Sequence, residues 1–211
     1  SFYNGVATQS ARFDDGSSAY LNRTPSSAGN RKTWTWSGWV KRSTITSSMT
    51  LFTSGTTTGQ DMTTILLTSD DNFRVAHEDS NSISFDIRTN ALYRDTSSWY
   101  HFLAKFDSTD STESNRLKLY VNGELITSLR ASTYPSLNKD SDINTTEEHL
   151  IGKRELASQW YFDGYMAEVN FIDGTALDPT YFGETKNGVW IAKKYTGSYG
   201  TNGFRLQFNQ T

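Results

Sequence analysis

Glu168 and Asp173 bracket the stretch EVNFID and are the residues best suited by type to do chemistry. A pair of carboxylates is the equipment of glycoside hydrolysis: one protonates the leaving oxygen, and the other attacks the sugar or activates water. Strand alternation, however, puts Val169 and Phe171 on a core face and Glu168 and Asn170 on the opposite one. Asp173 precedes Gly174, which marks it as a turn residue. A strand ending in a turn accounts for the pattern, and no catalytic residue is assigned.

Oxygen-rich loops are the next candidates. DSDINTTEE, Asp140 to Glu148, opens like a calcium loop. An EF-hand needs Gly at its sixth position and Glu at its twelfth, where this chain has Thr145 and Ile151. A looser calcium site built on Asp140, Asp142 and Glu147 stays open, and calcium is the only cofactor left open. Asp70, Asp71 and Asn72 read equally as a second cluster or as a solvated turn. The three histidines, His77, His101 and His149, lack metal-ligand spacing. His101, between Tyr100 and Phe102, reads as a satisfied structural histidine. No nucleophile elbow, P-loop or dinucleotide fingerprint occurs.

Aromatic side chains supply a different chemistry, the binding of sugars through their apolar surfaces. Most of the six tryptophans lie in strand patterns and read as packing residues. The ligand-binding candidates are therefore aromatics in breaker-rich segments: Tyr134 before Pro135, and Trp160 with Tyr161. Tyr195 and Tyr199, in KKYTGSYGTNG, face either a ligand or neighbouring subunit, or their own domain.

Composition narrows the classes. The chain has 211 residues and no cysteine, so disulfides and thiolate metal sites are excluded. A formal net charge of −3 with no basic stripe argues against nucleic acid. The doublets Arg31-Lys32, Lys41-Arg42 and Lys193-Lys194 are scattered and are expected on solvated faces. No run of apolar residues is long enough to span a membrane as a helix. The opening SFYNGVATQS lacks the features of a signal peptide, and the missing initiator Met implies a processed chain or part of a longer one.

The elements that would position these residues are strands. In LKLYVNGELI (117 to 126) the alternation breaks at Asn122-Gly123, a pair suited to a two-residue type I′ turn. Leu117, Leu119 and Val121 share one face, and Lys118 and Tyr120 the other. TWTWSGWV (33 to 40) puts Trp34, Trp36 and Val40 on one side and Trp39 on the other. WYHFLAKF (99 to 106) groups Tyr100, Phe102, Ala104 and Phe106. Further strands are expected at 63 to 69, 73 to 78, 82 to 88, 149 to 154, 165 to 172 and 203 to 209. The Ser/Thr-rich segments 43 to 69 and 107 to 115 read as rim loops. One helical turn is expected after Asp178-Pro179.

The expected fold is all-β, a single antiparallel two-sheet jelly-roll sandwich over residues 1 to 211. Trp36, Val40, Phe102, Leu119, Val121, Val169 and Phe171 should be buried. The terminal segments ARFDD (11 to 15) and GFRLQF (203 to 208) are expected to be neighbours that hide an edge.

Four stretches together resemble the laminin-G-like, concanavalin A-like jelly roll: FDDGSSAYLNRT (13 to 24) with WTWSGWVKR (34 to 42), WYHFLAKFD (99 to 107), LKLYVNGELI, and IGKRELASQWYFDGYMAEVNFID (151 to 173). Glucanases of that family carry E-x-D-x-x-E. Glu168 matches its first position, but Asn170 replaces the middle Asp and Asp173 the final Glu. The tail ALDPTYFGETKNGVWIAKKYTGSYGTNGFRLQF (176 to 208) is similar to a segment of structural proteins of tailed bacteriophages, particularly marine ones. The resemblance implies a virion-surface or fibre module that is not an enzyme. It would bind host surface glycans beside other virion proteins, as a homo-oligomer with a trimer favoured. A purely architectural virion subunit is the alternative, and a jelly-roll glycoside hydrolase or lyase the second.

Overall fold

A computed structural model of the chain describes residues 5–56, 60–154 and 160–209. The opening SFYN and the ELASQ portion of the 151–173 stretch lie outside them. Two seven-stranded sheets and a separate hairpin make up the described structure. In the first sheet the order is β1 (Ala11–Phe13), β13 (Gly164–Asp173), β3 (Thr33–Arg42), β8 (Tyr100–Asp107), β9 (Leu117–Val121) and β10 (Glu124–Leu125); β16 (Phe204–Leu206) also pairs with β13. The second runs β11 (Leu129–Thr133), β7 (Ser82–Thr89), β6 (Phe73–Asp79), β5 (Met62–Leu67), β4 (Met49–Gly55), β12 (His149–Ile151) and β2 (Leu21–Arg23). The hairpin joins β14 (Gly183–Lys186) to β15 (Val189–Ala192). Every pairing is antiparallel.

The sheets enclose one large core. From the first come Trp34, Trp36, Val40, Phe102, Phe106, Leu117, Leu119, Val121, Val169 and Phe171; Phe52, Ile65, Phe73, Val75, Phe85 and Ile87 face them from the second. All seven residues predicted to be buried are buried. The expected turn is present: Asn122 and Gly123 have φ of 51° and 85°, and Val121 pairs with Glu124. A second Asn-Gly turn, at residues 187 and 188, joins β14 to β15 with φ of 52° and 77°. The turn after Asp178 is a 3-10 helix, Pro179–Tyr181, capped by Asp178 Oδ1, which accepts from Thr180 N–H at 2.9 Å.

Three expectations need correction. The segment 43 to 69 is not only rim loop, because β4 lies inside the second sheet with all seven residues buried. Two of its hydroxyls find partners there: Thr53 Oγ1 donates to Thr63 O at 3.0 Å and Ser54 Oγ lies 3.4 Å from Thr145 Oγ1, and β-branched Thr suits a strand. The terminal strands do occupy the same sheet, but they share no ladder. Because β3 takes one edge of β13, β1 (on 164–166) and β16 (on 169–171) lie end to end along the other. Finally, alternation in β13 is not continuous. A bulge between Ala167 and Asn170 puts Glu168 at φ 47°, and the core set becomes Met166, then Val169 and Phe171.

The outer face of the first sheet is covered by the chain after β13. Leu103 and Ile172 pack there against Leu177, Phe182 and Tyr195, with Tyr120 and Tyr199 at the margin. Tyr195 and Tyr199 thus turn back onto their own fold, the rings meeting at 5.2 Å.

Candidate functional site

The carboxylates singled out by type are engaged in holding the fold. Glu168, 4% exposed, receives both its hydrogen bonds from Arg205 of β16, Nε to Oε2 and Nη2 to Oε1, each at 2.9 Å. Asp173 is a staple rather than a simple turn residue. It accepts from Asn30 N–H at 2.8 Å, Asn144 Nδ2 at 2.9 Å and Asn202 N–H at 3.0 Å, drawing three loops together. Neither carboxylate is left to protonate a leaving group.

Two of the three calcium candidates are engaged by one arginine. Asp140 and Asp142 both face Arg31, at 3.9 and 3.4 Å, and burial lifts Asp142 to about 6. Asp140, Asp142 and Glu147 do not converge: among the described residues, the acidic groups that come together as three are Asp14, Asp15 and Asp163. Within that trio, Asp163 already holds Arg12 at 2.7 Å. Asp70 to Asn72 is a solvated turn only at Asp70, which is exposed, whereas Asp71 and Asn72 are buried. Asp71 is fully buried between Arg42 at 2.9 Å and Arg94 at 2.8 Å, and its Oδ1 accepts Thr46 N–H at 2.7 Å. Arg42, expected on a solvated face, is 1% exposed. Its burial follows from this ion pair, which no local pattern announces.

Each histidine is a satisfied structural group. His77 Nε2 donates to Asp79 at 2.9 Å, so its Nδ1 accepts the Thr63 hydroxyl at 2.8 Å. His149 Nε2 accepts Asn144 N–H at 2.9 Å, and its Nδ1 donates to Glu147 O. Burial holds His149 at about 4 and His101 at about 3, so both are neutral near pH 7.

The three aromatic candidates are not brought together. Tyr134 follows β11 at the margin of the second sheet and packs against the core. Trp160 is tied to β4, with three strands between it and β11, where its carbonyl accepts Thr50 N–H at 2.9 Å. Arg154 covers its ring at 4.1 Å from the centroid. Tyr161 is half-buried beside it.

A different set of aromatics does converge. On the outer face of the first sheet, Trp39 of β3 and Ala167 of β13 meet Ala7 and Ala192, with Trp99 and Trp190 half-buried around them. They line a cleft of about 730 Å³, with Thr8, Gln9, Ser10 and Ser98 supplying hydroxyl and amide groups. That volume falls within the roughly 300–1,000 Å³ of small-ligand sites. Trp39 stands directly across from His101 in the ladder, their rings 5.1 Å apart, and His101 is 6.0 Å from the Trp190 ring.

Trp190 is held from several sides. Its Nε1–H donates to His101 Nδ1 at 3.0 Å, which leaves His101 Nε2–H to donate to Ser37 Oγ at 2.7 Å. Beneath the indole lies Gly123 of the first Asn-Gly turn, where a Cβ would sit 2.7 Å from the ring. Asn122 fixes that turn: its Oδ1 accepts His101 N–H at 2.8 Å. The hairpin thus serves as a platform for a cleft residue more than sixty positions later. Sequence reasoning missed Trp99 and Trp190. The available signal was Trp39, placed on the face of β3 opposite the core.

Residues 15–180 match the laminin G model of the concanavalin A-like lectin/glucanases superfamily. The chain belongs to this superfamily. Solved structures with the same jelly roll include the heptameric SAP-like pentraxin of Limulus polyphemus (18% identity, TM-score 0.54, 82% of this chain and 75% of the pentraxin chain). The LG4-5 domains of the mouse laminin alpha1 chain match at 12% identity and TM-score 0.56, over 83% of this chain and 44% of theirs. Domain 4 of an extracellular arabinanase from Geobacillus stearothermophilus, solved with arabinotriose, matches at 21% identity and TM-score 0.53 over 73% and 65%. The chain therefore spans less than half of the laminin fragment and just under two thirds of the arabinanase one. At these identities the likeness is one of fold. No curated protein matches the chain. Because the superfamily holds both lectins and glucanases, its name leaves the chemistry to the site.

Proposed function

We propose that residues 1–211 act as one non-enzymatic carbohydrate-binding module and that the tryptophan cleft holds the glycan. The observation that carries this reading is the convergence of Trp39, Trp99 and Trp190 on one cleft whose remaining walls are methyl, hydroxyl and amide groups. A sugar ring has an apolar C–H surface and a polar rim, and such a cleft offers a partner for each. The engagement of Glu168 by Arg205 and of Asp173 by three donors supports binding without turnover. The arabinotriose complex of the arabinanase domain supports this use of the jelly roll.

The similarity of residues 176 to 208 to phage structural proteins supports a place at a virion surface, adhering to host glycans beside other virion proteins. A shallow site binds weakly. Adhesion then calls for several linked copies, such as a trimer, which raise avidity by about 10²- to 10⁴-fold. Tests are a glycan array probed with the multimeric protein and a reducing-end assay on algal and bacterial polysaccharides. Binding with no release of reducing ends is expected. Hydrolysis would move the assignment to an enzyme, and absence of binding to any glycan or host cell would favour an architectural subunit.

A further inference from the structure

The lining of the tryptophan cleft has a chemical property that specifies its ligand further. Among the described residues its lining holds no Asp, Glu, Lys, Arg or His: three indoles, small and aliphatic groups, and the hydroxyls and amide of Thr8, Gln9, Ser10 and Ser98 make it up. This is unusual on a chain in which charged residues make up 20% of the sequence. We propose that the cleft selects uncharged glycans and rejects uronic, sulfated and sialylated ones, a selectivity that rests on the carbohydrate-binding reading above.

The physical reasons are two. A carboxylate or sulfate entering the cleft gives up water and finds no counter-charge among these side chains, and an unpaired charge is costly to desolvate. Indole faces also carry the negative end of the ring quadrupole, which attracts polarised C–H groups and repels anions. Behind the Trp39 and Trp190 rings the fold is equally intolerant of charge. His101, between the Trp39 and Trp190 rings, is buried to 1% exposure and accepts from one neutral donor while donating to one neutral acceptor. Burial alone holds its imidazole uncharged down to about 3. A neutral sugar meets none of these penalties, and Thr8, Gln9, Ser10 and Ser98 are enough to exchange hydrogen bonds with its hydroxyls.

The test uses matched ligands. Hexasaccharides of β-1,3-glucan, β-1,4-glucan, β-1,4-mannan and β-1,4-galactan are titrated into the full chain, each beside its C6-oxidised, uronate counterpart. At least one neutral member should bind about tenfold or more tighter than its oxidised partner, and Trp190→Ala should weaken that binding by a similar factor. Thr8→Lys, at an exposed wall position, should narrow the gap by favouring the oxidised member. It also keeps the test valid if Trp190→Ala fails to fold. Equal or tighter binding of the oxidised members, still sensitive to Trp190→Ala, would overturn the selectivity and leave the carbohydrate-binding reading standing. A neutral preference that neither substitution changes would overturn the placement in this cleft. Binding of no member, neutral or oxidised, would overturn both.

Discussion

Trp190 donates its indole N–H to His101 Nδ1 at 3.0 Å, joining the tail hairpin to the outer face of the first sheet. The bond fixes the tautomer of a neutral, buried histidine, and His101 in turn holds Ser37. The tail is therefore part of the cleft and orients one of its walls.

Two glycines isolate the support of that wall. Gly123 and Gly188 each occupy the second position of an Asn-Gly turn, with φ of 85° and 77°. A Cβ on Gly123 would lie 2.7 Å from the Trp190 ring, whereas one on Gly188 meets open space. Both alanine variants carry the conformational penalty of positive φ, on the order of 1 kcal/mol. Only Gly123→Ala should also weaken glycan binding, by displacing Trp190. Calorimetric titration of the two proteins measures the difference, and equal affinities would contradict the supporting role.

Asp71→Ala should be among the most damaging single substitutions. It leaves the Arg42 guanidinium, 1% exposed, without its counter-charge, and removes the partners of Arg94 and Thr46 N–H. Breaking a buried pair in this way costs about 3–5 kcal/mol. Denaturant unfolding measures it, and a loss below about 1 kcal/mol would mean that Arg42 finds water.

Acid should weaken the fold well above the carboxylate range. His101 and His149 are held at about 3 and 4, against 6.5 for an unperturbed histidine. As pH falls below 6.5, the unfolded chain binds protons that these folded groups refuse, and stability drops until they too protonate. Asp142, raised from 3.8 to about 6, acts in the opposite sense: the folded state holds its proton more tightly, so that contribution is lost as pH rises through 6. Two histidines against one aspartate leave a net decline on the order of 1.4 kcal/mol per pH unit between about 6 and 4, and His77, also lowered by burial, adds in the same direction. Asp142→Asn removes the opposing group, so it should raise the melting temperature at pH 7 and steepen its fall toward pH 4. Thermal melts across this range decide the sign.

Glu168→Gln should reduce stability by about 1–3 kcal/mol while leaving glycan affinity unchanged. The Arg205 pair loses its charge and one acceptor, which loosens β16 from β13. Affinity and melting temperature measured on one preparation separate these effects. A large loss of affinity at constant stability would place Glu168 in a ligand site.

The core was legible because it is written locally. Alternation in 33 to 40, 99 to 106 and 117 to 121 assigns the inward faces directly, and Asn122-Gly123 and Asp178-Pro179 carry their own turn chemistry. The bulge at Glu168 was not, because continuous alternation is the only phase a linear pattern offers. β4 was hidden by Ser and Thr; the Thr53 hydroxyl finds its partners, Thr63 and Thr64, only once β5 is beside it. Arg42 and Asp71 look solvated until distant segments pair their charges. The cleft was least legible of all. Trp39, Trp99 and Trp190 share no spacing, and two sheet strands, a loop and the tail must fold before they meet.

The most direct measurement is the indole N–H region of a ¹⁵N-correlated NMR spectrum, assigned by substitution for the six tryptophans. It is recorded while the neutral hexasaccharide that binds best is added. Trp39, Trp99 and Trp190 should shift together along one saturating curve, while the core indoles of Trp34 and Trp36, and Trp160 beneath Arg154, stay in place. A saturating shift at Trp160 with Trp39, Trp99 and Trp190 unmoved would contradict the account and return the ligand site to the 160–161 segment.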